Sequence, residues 1–218
     1  MADIFREVDE EVRRDKAAEF WKKYQNWIIG VAVIVILATG GWRFVEYQRR
    51  VASEQAGLKF QDAVQLAQQG KVKEAEGAFE QIARSGAAGY SVLSRLRAAA
   101  EAGAQDRDQG IKLFDALGAD TTIDKTFRDL ARLRAAILAV DRVSLDEARK
   151  RLEPLAGADG VYRHTARELL ALAAFKAEDF DVASRWLDNL IVDAQTPASV
   201  RQRATTLQAL IAAGRPAK

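Results

Sequence analysis

The side chains best equipped for chemistry are few. His164 is the only histidine in the chain, and Glu168 follows four positions later, a spacing that places both on one face of a helix. One imidazole makes neither a histidine-rich metal site nor a histidine pair, and a lone pair of this kind is common on helix surfaces. Cysteine is absent, which removes a thiolate nucleophile, zinc–thiolate ligation and a disulfide framework, and leaves the redox compartment open. Gly70-Lys71 is followed by Val72 and lacks the preceding glycine of a phosphate-binding loop, and neither G-x-S-x-G nor H-E-x-x-H occurs. The acids Asp9, Glu10 and Glu11 sit in a polar segment where nothing suggests a pocket. The expectation is a non-enzymatic protein with no cofactor and no metal, so the remaining chemistry is binding.

The first element that would position a binding surface is the run Trp27 to Trp42, sixteen residues without a charge in a chain that is 29% charged. From Tyr24 to Trp42, nineteen uncharged residues give roughly 28 Å of helix, near the roughly 30 Å of a bilayer's hydrocarbon. Tyr24 and Trp27 stand at one end, Trp42, Phe44 and Tyr47 at the other, and Lys22, Lys23 and Arg43 close the segment, so Tyr24, Trp27, Trp42 and Arg43 are the expected interface anchors. A buried core helix is one alternative, disfavoured because no polar stripe marks an outer side. A cleaved signal peptide is another, since the run ends in Ala38, Thr39, Gly40 and Gly41. Against it stand the 26 preceding residues, which carry seven acids and six bases instead of a short basic region. An uncleaved single span over residues 24–45 is the expectation.

The net charge of +2 is spread without a long basic block, so nothing asks for nucleic acid. Orientation is weakly encoded, with five Lys and Arg in the twenty residues before Trp27 and four in the twenty after Trp42. Ile4, Phe5, Val8 and Val12 fall at helical spacing, so residues 1–23 form a charged tail with a short amphipathic helix, either a partner contact or a solvated juxtamembrane segment. After Trp42 no proline and only Gly57 interrupts the chain before Gly70, which predicts a domain mounted semi-rigidly and close to the bilayer.

From there the chain is rich in alanine, leucine and arginine, with three prolines in all and no sustained alternation, so the expectation is all helical. A small residue followed by large apolar ones at +4 and +7 recurs at Ala75, Gly110, Ala148 and Ala183, and twelve residues before each stands an alanine: Ala63, Ala98, Ala136 and Ala171. This resembles the tetratricopeptide repeat, in which small residues let two helices approach closely. The repeat's usual aromatic and proline are mostly missing; an irregular helical bundle is the alternative. Helix pairs are expected at 50–69 with 71–85, 89–104 with 107–117, 124–140 with 144–156 and 160–177 with 179–193. A last helix, about 197–213, would cap the open end and residues 214–218 would be a disordered tail. Ser144 with Glu147 reads as a capping box, and Pro154 should end or kink its helix.

The resemblance implies a concave face lined by first helices, at Phe60 and Val64, Arg95 and Ala99, Leu133 and Ile137, and Glu168 and Leu172, with Phe175 nearby. An open face of this kind would suit apolar segments of a partner or an unfolded client. In the other reading a tight superhelix or the last helix buries these residues as ordinary core.

The order of parts, with Gly40-Gly41-Trp42-Arg43 closing the span and the opening Asp3-Ile4-Phe5-Arg6-Glu7-Val8-Asp9-Glu10-Glu11-Val12-Arg13-Arg14, is similar to the YfgM family of ancillary subunits of the bacterial SecYEG translocon. That resemblance implies a single-pass inner-membrane protein with a cytoplasmic N-terminus and a periplasmic repeat domain. Its implied partners are the Sec translocon, a membrane-anchored periplasmic foldase and newly exported clients. A structural scaffold or assembly factor for one envelope complex is the competing reading.

Overall fold

The computed structural model describes residues 2–86 and 89–214. All regular structure among them is helical: α1 (Ala2–Gln68), α2 (Val72–Arg84), α3 (Tyr90–Gln105), α4 (Arg107–Ala119), α5 (Lys125–Ala139), α6 (Leu145–Leu152), α7 (Arg163–Lys176), α8 (Phe180–Val192) and α9 (Ala198–Gly214). Two compact units divide the chain, Met1–Ala52 and Ser53–Lys218. The expected borders between tail, span and first repeat helix all fall inside α1. Residues 215–218, expected as a tail, lie outside the described residues, as do the side chains of Ile4, Phe5, Val8 and Val12.

Among its described residues the first unit is helix alone. The part of α1 from Ile29 onward is long and apolar enough to cross a membrane, and none of its apolar window is buried. Trp27, Ile34, Ile36, Leu37 and Trp42 are all exposed. A helix that is apolar on every side is of the kind found in the core of a large protein or across a membrane.

In the second unit, the end of α1 packs on α2 through Ala56, Ala63, Ala75 and Phe79, α3 with α4, α5 with α6 and α7 with α8 make three further helix pairs, and α9 packs on α8 and α7. Packing passes from each pair to the next, α2 against α3, α4 against α5 and α6 against α7. The first core layer holds Ala56, Ala63, Ala75, Phe79, Ile82 and Ala98. The next is built on Leu96, Phe114, Leu117 and Ala135, and the third on Leu133, Ala136, Leu152, Leu155 and Leu170. Ala171, Ala183, Leu187 and Leu190 form the last layer with Val200, Ala204 and Ile211 of α9. Every small residue of the expected repeat pattern is buried, which is what close helix crossings require.

The turns follow from local chemistry. Gly70, at φ 76°, ends α1 with its own N–H on the Ala67 carbonyl and the Lys71 N–H on the Leu66 carbonyl, both at 3.0 Å. That is the left-handed helix stop glycine favours. The same two bonds close α7, from Glu178 to Phe175 and from Asp179 to Ala174, but the left-handed residue there is Glu178 at φ 60°. Asp106 alone joins α3 to α4 and caps α4 by accepting from Asp108 and Gln109. The Ser144 hydroxyl accepts from the Glu147 N–H at 3.3 Å, whereas the Glu147 carboxylate pairs with Arg151, so half of the expected capping box forms. α6 stops at Leu152, and Pro154 sits in a 3-10 turn, Glu153–Leu155.

Candidate binding site

The first-helix face can be judged position by position, because the repeat pattern assigns two residues per pair. At the earlier position each residue is already used within the chain. Phe60 stacks edge-on against Phe79 with centroids 5.2 Å apart and lies 5.8 Å from the Tyr90 ring. Arg95 donates to Asp120 at 2.6 Å and ties α3 to the α4–α5 loop. Leu133 is only 5% exposed, inside the third core layer. Glu168 accepts two bonds from Arg203 of α9, at 2.5 and 2.8 Å.

At the later position the outcome divides along the chain. Val64 is half-buried against the first core layer and Ala99 is buried. Ile137 and Leu172 remain 37% and 44% exposed. Phe175 packs on the last core layer and stacks against Phe180 at 5.8 Å. Leu133 is therefore core and not groove, because it is buried in one cluster with Leu152 of α6, Leu155 and Leu170 of α7. The accessible apolar side chains of the face are Ile137 and Leu172. Beside Leu172 opens a cleft of about 460 Å³ between α7 and α9, floored by Leu187 and edged by Leu207 and Leu210. Nothing in the repeat pattern pointed to Leu210, since α9 has no second helix to complete a pair.

His164 and Glu168 do not form the surface pair their spacing predicts. Their side chains are 14% and 16% exposed, and each turns to a different helix end. His164 Nε2 lies 3.1 Å from Asp193 Oδ2, and Arg163 and Arg167 donate to the same oxygen at 3.3 and 3.2 Å. Its other oxygen accepts the Gln195 N–H at 2.9 Å. That backbone bond first, then the bonds from His164 and Arg163, hold the Asp193 carboxyl well below the usual carboxylate range. Arg167 also donates to the Ala156 carbonyl at 2.9 Å, and Arg201 of α9 donates to the Asp193 and Thr196 carbonyls. The cluster knots the start of α7, the end of α8 and the start of α9. The imidazole is engaged by the Asp193 carboxylate in this cluster, and it is the sequence's single histidine.

A second shifted carboxylate serves the same kind of purpose. The Thr122 hydroxyl, then Arg95, then the Thr122 N–H bring the Asp120 pKa from 3.8 down to about 2. Groups of three or more His, Cys, Asp or Glu arranged to hold a metal ion do not occur among the described residues. Of the expected interface anchors, Trp27 and Trp42 are 76% and 74% exposed, and Tyr24 and Arg43 are also exposed.

No curated protein and no solved structure matches the chain. A family of repeat domains does, over residues 18–159, so the match takes in the apolar stretch of α1 and ends before α7. With more than half of its length matched, and with the paired helices and buried small residues described above, the chain belongs to the tetratricopeptide repeat-like domain family.

Proposed function

We propose that this chain is a membrane-tethered, non-enzymatic protein-interaction module. The observation that carries the reading is the joining, in one chain, of an all-round apolar helix to a family-matched repeat domain whose first-helix face leaves Ile137 and, beyond the matched stretch, Leu172 uncovered. Repeat domains of this family are protein-binding folds, and nothing in the side-chain chemistry indicates catalysis. The apolar segment supplies location, with Tyr24, Trp27, Trp42 and Arg43 at the headgroup levels. The repeat face supplies the contact through Ile137 and Leu172.

The sequence resemblance to ancillary translocon subunits supports a more specific form of this reading. In it the N-terminus is cytoplasmic, the repeat domain is periplasmic, and the partners are the Sec translocon, a membrane-anchored foldase or exported clients. The test is photocrosslinking in intact cells from position Trp27, followed by mass identification. Capture of translocon subunits supports the specific form. Capture of one folded envelope protein without translocon subunits favours a scaffold for a single complex and overturns it.

A further inference from the structure

We propose that the cluster of Arg163, Arg167 and Arg201 around the α8–α9 turn binds a compact tetrahedral oxyanion of the phosphate or sulfate class. The proposal is independent of what the repeat face binds, and it concerns how the last helices are held together.

Charge is the first ground. Arg163 and Arg167 both bond the Asp193 carboxylate, and Arg201 bonds the Asp193 carbonyl together with those of Ala194 and Thr196. Carbonyls orient a guanidinium without neutralising it, so three positive charges stand against one negative. Neighbouring acids do not correct the excess, since Glu168 is held by Arg203, and Asp159 is exposed and pairs with none of the three. Arg163 and Arg167 have side chains only 15% and 13% exposed, so water screens them poorly. The starts of α7 and α9 add partial positive charge, and the end of α8 offsets part of it.

Hydrogen bonding is the second ground. Asp193 Oδ2 meets His164, Arg163 and Arg167 at 3.1, 3.3 and 3.2 Å, three donors on one carboxylate oxygen. Such an oxygen offers about two lone-pair sites, and each contact is longer than the roughly 2.7–2.9 Å of a charge-assisted bond. In the same turn the Arg201 Nε and the Thr196 hydroxyl are buried without a hydrogen-bond partner among the described residues. An oxyanion corrects both imbalances, because it brings negative charge and several acceptor oxygens in the geometry a guanidinium fork matches. With so little of each guanidinium exposed, the approach favours a free ion over a phosphate borne on a lipid headgroup.

The test uses the full-length chain in a non-ionic detergent and chloride buffer, read by amide hydrogen exchange. Replacing chloride by about 10 mM sodium phosphate at constant ionic strength should slow exchange over residues 193–204 at least about threefold and leave α4 and α5 unchanged. Sodium sulfate should act alike. Arg163→Gln and Arg167→Gln should each abolish the phosphate effect, and Arg185→Gln, at an exposed position outside the cluster, should keep it. Helical content reports whether each variant is folded. The unaltered chain decides by itself if a variant is not: identical exchange in phosphate and chloride overturns the proposal. Equal slowing in α4 and α5, a general salt effect, overturns it too, as does an effect that persists in both folded variants. A second arm adds phosphatidylglycerol to the micelles in place of free phosphate. Slowing with the lipid and none with the free ion would give the site to a headgroup and overturn the free-ion assignment.

Discussion

Gly103 of α3 and Gly110 of α4 meet backbone to backbone. A Cβ built on Gly110 would lie 2.4 Å from the Gly103 Cα and 3.1 Å from its nitrogen. The repeat pattern pairs Gly110 with Ala98, but a one-residue turn at Asp106 brings the two helices closest near their tip, and Ala98 packs on the first core layer instead. Gly110→Ala therefore forces the helices apart, at a cost of about 1–3 kcal/mol. Gly103→Ala, whose Cβ would meet its neighbours at 3.2 Å, should cost less. Urea titrations of the two variants give the comparison, and equal stabilities would contradict this crossing.

Two equivalent helix stops use different residues, and the difference can be measured. Glu178 adopts φ 60° where Gly70 adopts 76°, and an L side chain in that region costs about 1–2 kcal/mol. Glu178→Gly relieves that strain but gives the unfolded chain more freedom, so the net gain is up to about 1 kcal/mol. Gly70→Ala should destabilise by about 1 kcal/mol, purely through the backbone, since a Cβ there would touch nothing within 4 Å. Thermal melts of the two variants should move in opposite directions.

Much of this architecture is legible in the sequence, because helix pairs announce themselves through period, glycine and proline. Ala63, Ala98, Ala136 and Ala171 gave the register, and Gly70 and Pro154 gave two of the ends. What could not be read is any contact whose partners lie far apart in the chain. His164 and Asp193 are 29 residues apart and Glu168 and Arg203 are 35 apart, so an i, i+4 reading joined His164 to the wrong carboxylate. The groove was half legible for a related reason. Leu133 and Ile137 share one helix, yet the first is buried and the second stays 37% exposed.

The Asp193 knot should govern the cohesion of the last helices. Asp193→Ala leaves Arg163, His164 and Arg167 without their shared acceptor oxygen, so α7, α8 and α9 should exchange amide hydrogens faster while α4 and α5 keep their protection. Uniform protection loss along the whole repeat domain would show that the knot has no local role.

Acid should loosen the domain through Asp120. Its pKa is 3.8 unfolded and about 2 folded, so its contribution is complete above pH 4 and is lost as pH falls toward 2. Asp193 is shifted in the same direction and adds to the same window. In Asp120→Asn the acid-induced drop in Tm between pH 5 and pH 2 should shrink relative to the unaltered chain. An unchanged drop would mean that neither Thr122 nor Arg95 holds the carboxylate in solution.

An open apolar face at Ile137 and Leu172 can be probed with photoreactive side chains placed singly at Ile137, Leu172 and Leu133 in the full-length chain in living cells. Crosslinks to other proteins are expected from Ile137 and Leu172, and only intramolecular products from Leu133. Foreign crosslinks from Leu133 to the same extent, or none from Ile137 and Leu172, would contradict it.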